Sequence, residues 1–176
     1  MVSSGRKSRH SHFFNSFFFT KLLENGSYNY RNVKRWSKKV EGKDVFELDK
    51  ILVPVNVSNM HWCCLCVHVQ ERVVQFYDSL GGSGLEYLEA MRGYLRDEWS
   101  KLGKPGTFDE AEWDLVPTTS NTPRQKNGYD CGVFTSTCAD FLSLGVPLTY
   151  TQEDIGRCRR RIAMKILDGP EAVSLD

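Results

Sequence analysis

Two apolar segments separated by a two-residue polar turn are the feature of this chain that most restricts its fold. Residues Trp62–Val69 are almost continuously apolar, and Val73–Tyr77 is apolar and aromatic with one polar break. Apolar runs of this length are typical of strands, and the scarcity of alternation in the first run indicates a strand buried on both faces. Gln70 and Glu71 lie between the two runs. We therefore expect a β-hairpin whose first strand is covered on both sides.

The length of the turn decides which residues lie opposite each other in this hairpin. If the loop has two residues, Val69 faces Arg72, and continuing the register places Asp78 opposite Cys63. His61 lies two residues from Cys63 on the same face of the strand, so His61 and Asp78 become diagonal neighbours. A slip of one residue would place them on opposite faces. The hairpin therefore predicts an imidazole beside a carboxylate at one end of the sheet.

A thiol at the predicted start of a helix is the third chemical group. Cys131 is followed by apolar residues at helical spacing up to Gly145. The partial positive charge and the free N–H groups of a helix N-terminus favour a thiolate and can bind an anion. The small Gly132 lets a substrate carbonyl come close. Cys131, with His61 and Asp78, supplies the groups that a cysteine hydrolase needs, although these residue types alone leave a structural role open.

Six short segments of the chain carry a resemblance to a known family. They are Phe14–Leu22, Val33–Lys39, Leu52–Val55, His61–Cys63, Tyr77–Gly82 and Asn127–Gly132. In this order they resemble the catalytic domain of the SUMO-specific (sentrin-specific, Ulp-type) cysteine proteases, and the similarity runs from about Phe13 to Leu167. The resemblance implies an α+β, papain-like fold with a central, mostly antiparallel sheet flanked by helices and a nucleophile at a helix N-terminus.

The resemblance also implies a reaction and assigns a role to each site residue. Such domains cleave after the C-terminal Gly-Gly of SUMO, both to mature the precursor and to release SUMO from lysine side chains. Cys131 corresponds to the nucleophile, His61 to the general base, and Asp78 to the residue that orients the base. Gln125 corresponds to the oxyanion-hole side chain, and Trp62 to an indole that covers the diglycine in a narrow tunnel. The implied partners are SUMO and SUMO-conjugated proteins, and no cofactor or metal is implied.

One further role and two alternatives complete what the resemblance implies. Arg35 corresponds to a basic residue that contacts the body of SUMO. The Trp-Leu-Asn-Asp type segment that forms one wall of the family's tunnel has no counterpart before Phe13. A catalytically weak SUMO-binding module or fragment is therefore one alternative. A protease for another diglycine-ended modifier such as NEDD8 is the other, although the Phe17–Leu22 segment and the basic segment around Arg35 favour the SUMO branch.

The size and the charge of the chain restrict its organisation and its partners. With 176 residues, 40% hydrophobic and 26% charged, the chain is expected to bury one core. We expect a flexible basic tail over residues 1–12 and a single, N-terminally incomplete catalytic domain over residues 13–176. A net charge of +1 gives no reason to expect specific nucleic-acid binding, and no apolar run approaches the length of a membrane span.

The sequence also gives expectations about the cellular location of the protein and about the role of its basic clusters. We expect a monomer that is not secreted and is found in the nucleus, or in the cytoplasm as well. The run Arg6–Arg9 fits either a flexible tail or a weak nuclear-import signal. Arg157 and the run Arg159–Arg161 are typical of a solvated helix face.

Six cysteines raise the question of disulfides or a metal site. They are Cys63, Cys64, Cys66, Cys131, Cys138 and Cys158. Cys63 and Cys66 have a C-x-x-C spacing, but no second pair has the spacing of metal ligands. The first three lie in one apolar strand, where thiols behave as small hydrophobic groups. We therefore predict reduced core cysteines and no metal site.

Overall fold

A five-stranded sheet forms the centre of the molecule in the computed structural model, which describes residues 11–168. The strands, in both chain and spatial order, are β1 (Ser11–Phe13), β2 (Lys50–Val57), β3 (His61–His68), β4 (Val73–Tyr77) and β5 (Asp114–Val116). The three central strands pair antiparallel, as expected. β1 and β5 join the edges in parallel, so the sheet as a whole is mixed. Both parallel strands are reached through long connections, which parallel pairing requires.

The central hairpin has the predicted register. Cys64 lies opposite Tyr77 and Leu65 opposite Phe76 in the β3–β4 pair. The backbone N–H of Arg72 donates to the carbonyl of Val69 at 3.3 Å, which closes a two-residue turn. The strand ends that carry the candidate catalytic groups are therefore brought side by side by local pairing alone.

Within residues 11–168, four α-helices cover the sheet. They are α1 (Phe18–Leu22), α2 (Leu85–Lys101), α3 (Cys131–Leu144) and α4 (Ile155–Asp168), and several short 3₁₀ turns connect α1 to β2. α3 begins at Cys131 and ends before Gly145, which confirms that Cys131 lies in the first turn of a helix ending near Gly145. Gly145 adopts φ 66°, the left-handed conformation that commonly terminates a helix.

The helices form two layers, one on each face of the sheet. α1 and α2 cover a core to which β3 contributes Cys63, Leu65 and Val67. α3 and the start of α4 cover a second core, to which β3 contributes Cys64 and Cys66. Successive side chains of a strand point to opposite faces, so a strand between two cores must be apolar throughout. This arrangement confirms the predicted burial of the first hairpin strand on both faces.

The N-terminal boundary of the ordered domain differs from the expected one. Ser11 and His12, which the sequence assigned to the tail, pair with Lys50 and Ile51 of β2. The basic run Arg6–Arg9 lies outside the described residues. Within residues 11–168, none of the helices combines the length and the apolar character needed to cross a bilayer.

Candidate active site

His61 and Asp78 form a hydrogen-bonded pair at one end of the central hairpin. His61 is the first residue of β3, and Asp78 follows the last residue of β4. The Nε2 atom of His61 lies 2.6 Å from Oδ1 of Asp78, and the two side chains are only 15% and 8% exposed. The diagonal contact predicted from the turn length is therefore present in the structure.

The loop after β4 holds the Asp78 carboxylate with backbone groups. The N–H of Leu80 donates to Oδ1 at 2.7 Å, and the N–H of Gly82 donates to Oδ2 at 2.8 Å. A Cβ at position 82 would lie 2.5 Å from Oδ2, so only glycine fits this close approach. Burial disfavours the charged carboxylate, but the hydrogen bonds from His61, Leu80 and Gly82 together keep the pKa of Asp78 below its ordinary value. Asp78 is therefore an ionised, fixed acceptor for the imidazole.

The N-terminus of α3 packs against the start of β3. A Cβ built on Gly132 would lie 3.9 Å from Cδ1 of Trp62, so Gly132 and the half-buried indole are close neighbours. Cys131 precedes Gly132, and His61 precedes Trp62. This packing brings the first turn of α3 to the end of the hairpin that carries the histidine, as a Cys-His site requires.

The nucleophile candidate and its neighbouring thiol have different environments. Cys131 is buried at the first position of α3, next to the positive end of the helix dipole. Cys63 is fully buried in the sheet, and burial and the negative charge of Asp78 raise its pKa well above the ordinary value. Cys131 is therefore the thiol suited to attack a carbonyl.

Asp130 is a site residue whose role the sequence did not reveal. It is the N-cap of α3, but its side chain makes no capping bond to the helix. The carboxylate instead accepts hydrogen bonds from Asn127 at 2.7 Å, Gln152 at 2.9 Å and Arg159 at 2.5 Å. The N–H of Val133 donates to the Asp130 carbonyl at 2.9 Å, so the N–H groups of Cys131 and Gly132 are the ones left to bind a developing oxyanion.

Arg159 corrects the view that the basic cluster of α4 is only a solvated face. Its guanidinium reaches back to a carboxylate 29 residues earlier, next to the candidate nucleophile. Hydrogen bonding from Asn127 is the largest cause that lowers the pKa of Asp130, and Gln152 and Arg159 add to it against the opposing effect of burial. Asp130 and its three partners anchor the loop that leads into Cys131.

Gln125 is held beside the Asp78 loop with one amide hydrogen left over. Its backbone N–H donates to the carbonyl of Ser79 at 3.1 Å, and the Ser79 hydroxyl donates to Oε1 at 2.6 Å. The side-chain Nε2 donates to the carbonyl of Asn127 at 2.5 Å. Nε2 carries a second hydrogen, for which the described residues offer no hydrogen-bond acceptor. This buried amide can donate to an oxyanion.

The structure does not bring Arg35 to the catalytic groups. Arg35 is exposed, and the carbonyl of the preceding Lys34 accepts a hydrogen bond from Lys101 at the C-terminal end of α2. α2 begins a few residues after Asp78 and has 17 residues, a length of about 25 Å. Arg35 therefore lies far from His61, and a contact with the body of a substrate stays a prediction.

Comparisons with known proteins identify the family that the chain matches. Residues 2–170 match the family described as "Ulp1 protease family, C-terminal catalytic domain". The chain is 37% identical over 164 residues to ubiquitin-like-specific protease 1A of Arabidopsis thaliana, with 89% of this chain and 31% of that protein covered. It is 35% identical over 159 residues to sentrin-specific protease 2 of Homo sapiens, with 89% and 25% covered. The chain thus spans about a third and a quarter of the length of these relatives.

A solved structure has the same architecture. It is the C-terminal Ulp1 protease domain in complex with SMT3, the yeast ortholog of SUMO. The TM-score is 0.77 at 31% identity, with 92% of this chain and 70% of that chain covered. The similarity confirms the α+β, papain-like fold class predicted from the sequence.

Proposed function

The chain belongs to the Ulp1 protease family, and on that premise we propose that it is a cysteine protease that cleaves after the C-terminal Gly-Gly of SUMO. The proposed reactions are maturation of the SUMO precursor and release of SUMO from lysine side chains. The observation that carries the proposal is the 2.6 Å contact between His61 and Asp78 beside a helix that begins at Cys131. A related protease domain whose structure includes a SUMO ortholog supports the choice of modifier.

The hydrogen bond of the pair assigns the proton-transfer role to one nitrogen of His61. When Nε2–H donates to the carboxylate of Asp78, Nδ1 is the ring nitrogen that can accept a proton. His61 then deprotonates Cys131, and the thiolate attacks the carbonyl carbon of the terminal glycine. The protonated imidazole donates its proton to the leaving amine. Water, activated by the neutral imidazole, hydrolyses the thioester and restores the thiol.

Two sets of donors stabilise the tetrahedral intermediates. They are the free Nε2–H of Gln125 and the backbone N–H groups of Cys131 and Gly132 at the start of α3. An oxyanion bound by such fixed donors needs no reorganisation of the site during the reaction. The Asp130 cluster keeps the helix start, and with it these donors, in place.

Selectivity for glycine follows from the position of Trp62. A Cβ built on Gly132, the residue after the nucleophile, would lie 3.9 Å from the indole, so a side chain at this point would touch the ring. A chain of two glycines has no side chains and can pass beneath an indole, whereas any larger residue collides with it. We infer that Trp62 selects the diglycine by steric exclusion.

A warhead assay tests the proposal. SUMO carrying an electrophile in place of its C-terminal carboxylate should label the protein at Cys131, and Cys131→Ala should abolish the labelling. Cys158→Ala is the matched control, since Cys158 is the most accessible of the other cysteines and lies on α4. Faster labelling by the same warhead on NEDD8 would favour a different modifier. Binding of SUMO without labelling would favour a binding module.

The cellular location is part of the same proposal. Nuclear residence, with or without a cytoplasmic pool, is expected for an enzyme that acts on SUMO conjugates. Imaging of the tagged chain tests it, and exclusion from the nucleus would contradict it.

A further inference from the structure

Cys63 lies inside the catalytic centre, but the proposed reaction does not use it. It follows His61 by two residues in β3, and its side chain is completely buried. One donor atom from each of His61, Cys63 and Asp78 lies within 4.8 Å of the others. The spacing of the cysteines in the sequence did not predict this cluster, because its three residues come from two neighbouring strands.

The three donors are an imidazole, a thiol and a carboxylate, which are the ligand types that zinc binds in proteins. A tetrahedral zinc ion with ordinary bond lengths of about 2.0–2.3 Å holds its nitrogen and oxygen ligands about 3.3 Å apart and its sulfur ligand about 3.6 Å from them. The present separations are 2.6 Å for the nitrogen–oxygen pair and at most 4.8 Å for the sulfur. Side-chain shifts of about 1 Å are therefore enough to enclose an ion.

The surroundings of the cluster also suit a bound cation. The N–H groups of Leu80 and Gly82 fix the Asp78 carboxylate, as outer hydrogen bonds fix the ligands of known metal sites. His61 retains 15% exposure, so an ion can enter from the solvent side of the imidazole.

We propose that His61, Cys63 and Asp78 form an inhibitory zinc site within the catalytic centre. The ion replaces the proton between His61 and Asp78 and takes Cys63 as a thiolate, with water as the fourth ligand. This property goes beyond the proposed protease function, because it depends on the three ligands and not on any substrate.

The proton balance explains the inhibition. Binding of Zn²⁺ forms a zinc–sulfur bond and releases the Cys63 thiol proton to solvent. Nε2 of His61 now coordinates the ion, so the single hydrogen of the neutral imidazole moves to Nδ1. The nitrogen that must accept the proton of Cys131 is then already protonated, and the nucleophile cannot be activated.

Zinc affinity measured by competition with a chromogenic chelator tests the site. Cys63→Ser should weaken binding about tenfold or more, as loss of a coordinating group requires. Cys131→Ser should retain the affinity, because the nucleophile is not a ligand. Cys66→Ser is the matched control: the residue is a buried cysteine of the same strand that faces the other core. Loss of affinity in Cys131→Ser with retention in Cys63→Ser would overturn the proposal, and so would equal affinity in all variants.

Cobalt provides a second readout that reports the ligand itself. Co²⁺ bound to the protein should show a thiolate charge-transfer band that persists in Cys131→Ser and disappears in Cys63→Ser. A band that behaves in the opposite way would place the metal on the nucleophile and refute the site. Both measurements are binding assays, so they remain decisive even if the protein does not cleave SUMO. Circular dichroism of each variant establishes that it is folded.

Discussion

The ion pair between Arg159 and Asp130 offers the most direct test of how the nucleophile is positioned. Nη2 of Arg159 lies 2.5 Å from Oδ1 of Asp130, and the two side chains are 55% and 8% exposed. A hydrogen bond to a charged group contributes about 1.5–3 kcal/mol, whereas an exposed ion pair contributes under about 1 kcal/mol. The arginine is half exposed, and Asn127 and Gln152 still hold the Asp130 carboxylate without it. We therefore expect the free energy of this contact to lie between those two limits. We expect Arg159→Ala to lower the free energy of unfolding by about 1–2 kcal/mol.

The same change should slow catalysis. If the lost free energy is transferred fully to the placement of Cys131, 1–2 kcal/mol corresponds to about 5- to 30-fold in rate. Urea denaturation and the rate of warhead labelling measure the two effects. Arg160→Ala is the matched control, because Arg160 is an exposed neighbour in α4 that forms no ion pair with the described residues. Equal effects of the two substitutions would refute the positioning role of Arg159.

The pH dependence of this effect has a definite sign. The pKa of Asp130 is lowered in the folded protein, so its stabilising contribution is present above the unfolded value of about 4. That contribution is lost as the pH falls through the lower folded value. The stability difference between wild type and Arg159→Ala should therefore be full at neutral pH and shrink in acid. A difference that grows below pH 4 would contradict the ion pair as its source.

The remaining predictions concern the other groups of the site. Asp78→Asn should lower the turnover of a SUMO C-terminal fluorogenic amide by on the order of 10²- to 10⁴-fold, with SUMO affinity retained, because the imidazole loses its orienting carboxylate. An unchanged turnover number would reject this role. Gln125→Ala should lower turnover by on the order of 10²-fold through loss of an oxyanion donor, and a change confined to KM would argue against it. Gly82→Ala should destabilise the fold by about 1–3 kcal/mol in urea denaturation, because its Cβ meets the Asp78 carboxylate. Gly128→Ala, whose Cβ meets no atom within 4 Å, is the control, and equal stability of the two variants would show that the close approach at position 82 is unimportant.

Local patterns were sufficient to predict the centre of the fold. The turn at Gln70 and Glu71, and the apolar residues around it, predicted the β3–β4 register, which the structure confirms. The position of Cys131 in the first turn of α3 and the end of that helix near Gly145 were also correct. These features depend on turn length, side-chain alternation and helix termination, which act over a few residues.

Such local patterns did not predict the edge strands of the sheet. β1 joins β2 in parallel although 36 residues separate them, and β5 joins β4 across the whole of α2. Short edge strands carry few residues and little periodicity, so their pairing depends on the surface already formed by the central strands. The sequence consequently assigned Ser11 and His12 to a tail, and it did not predict that the two short edge pairings are parallel.

The sequence by itself determined the chemical groups of this protein and the meeting of His61 with Asp78, because that pair lies 17 positions apart across one tight turn. Only the tertiary structure decided how these groups are held. Ser79 binds Gln125 across 46 residues, and Arg159 reaches Asp130 across 29. Contacts at such separations leave no periodic trace in the sequence, because they arise only after the two helical layers have packed on the sheet. The same packing places Cys63 beside the catalytic pair. Its residue type and its position in an apolar strand had indicated only a core thiol.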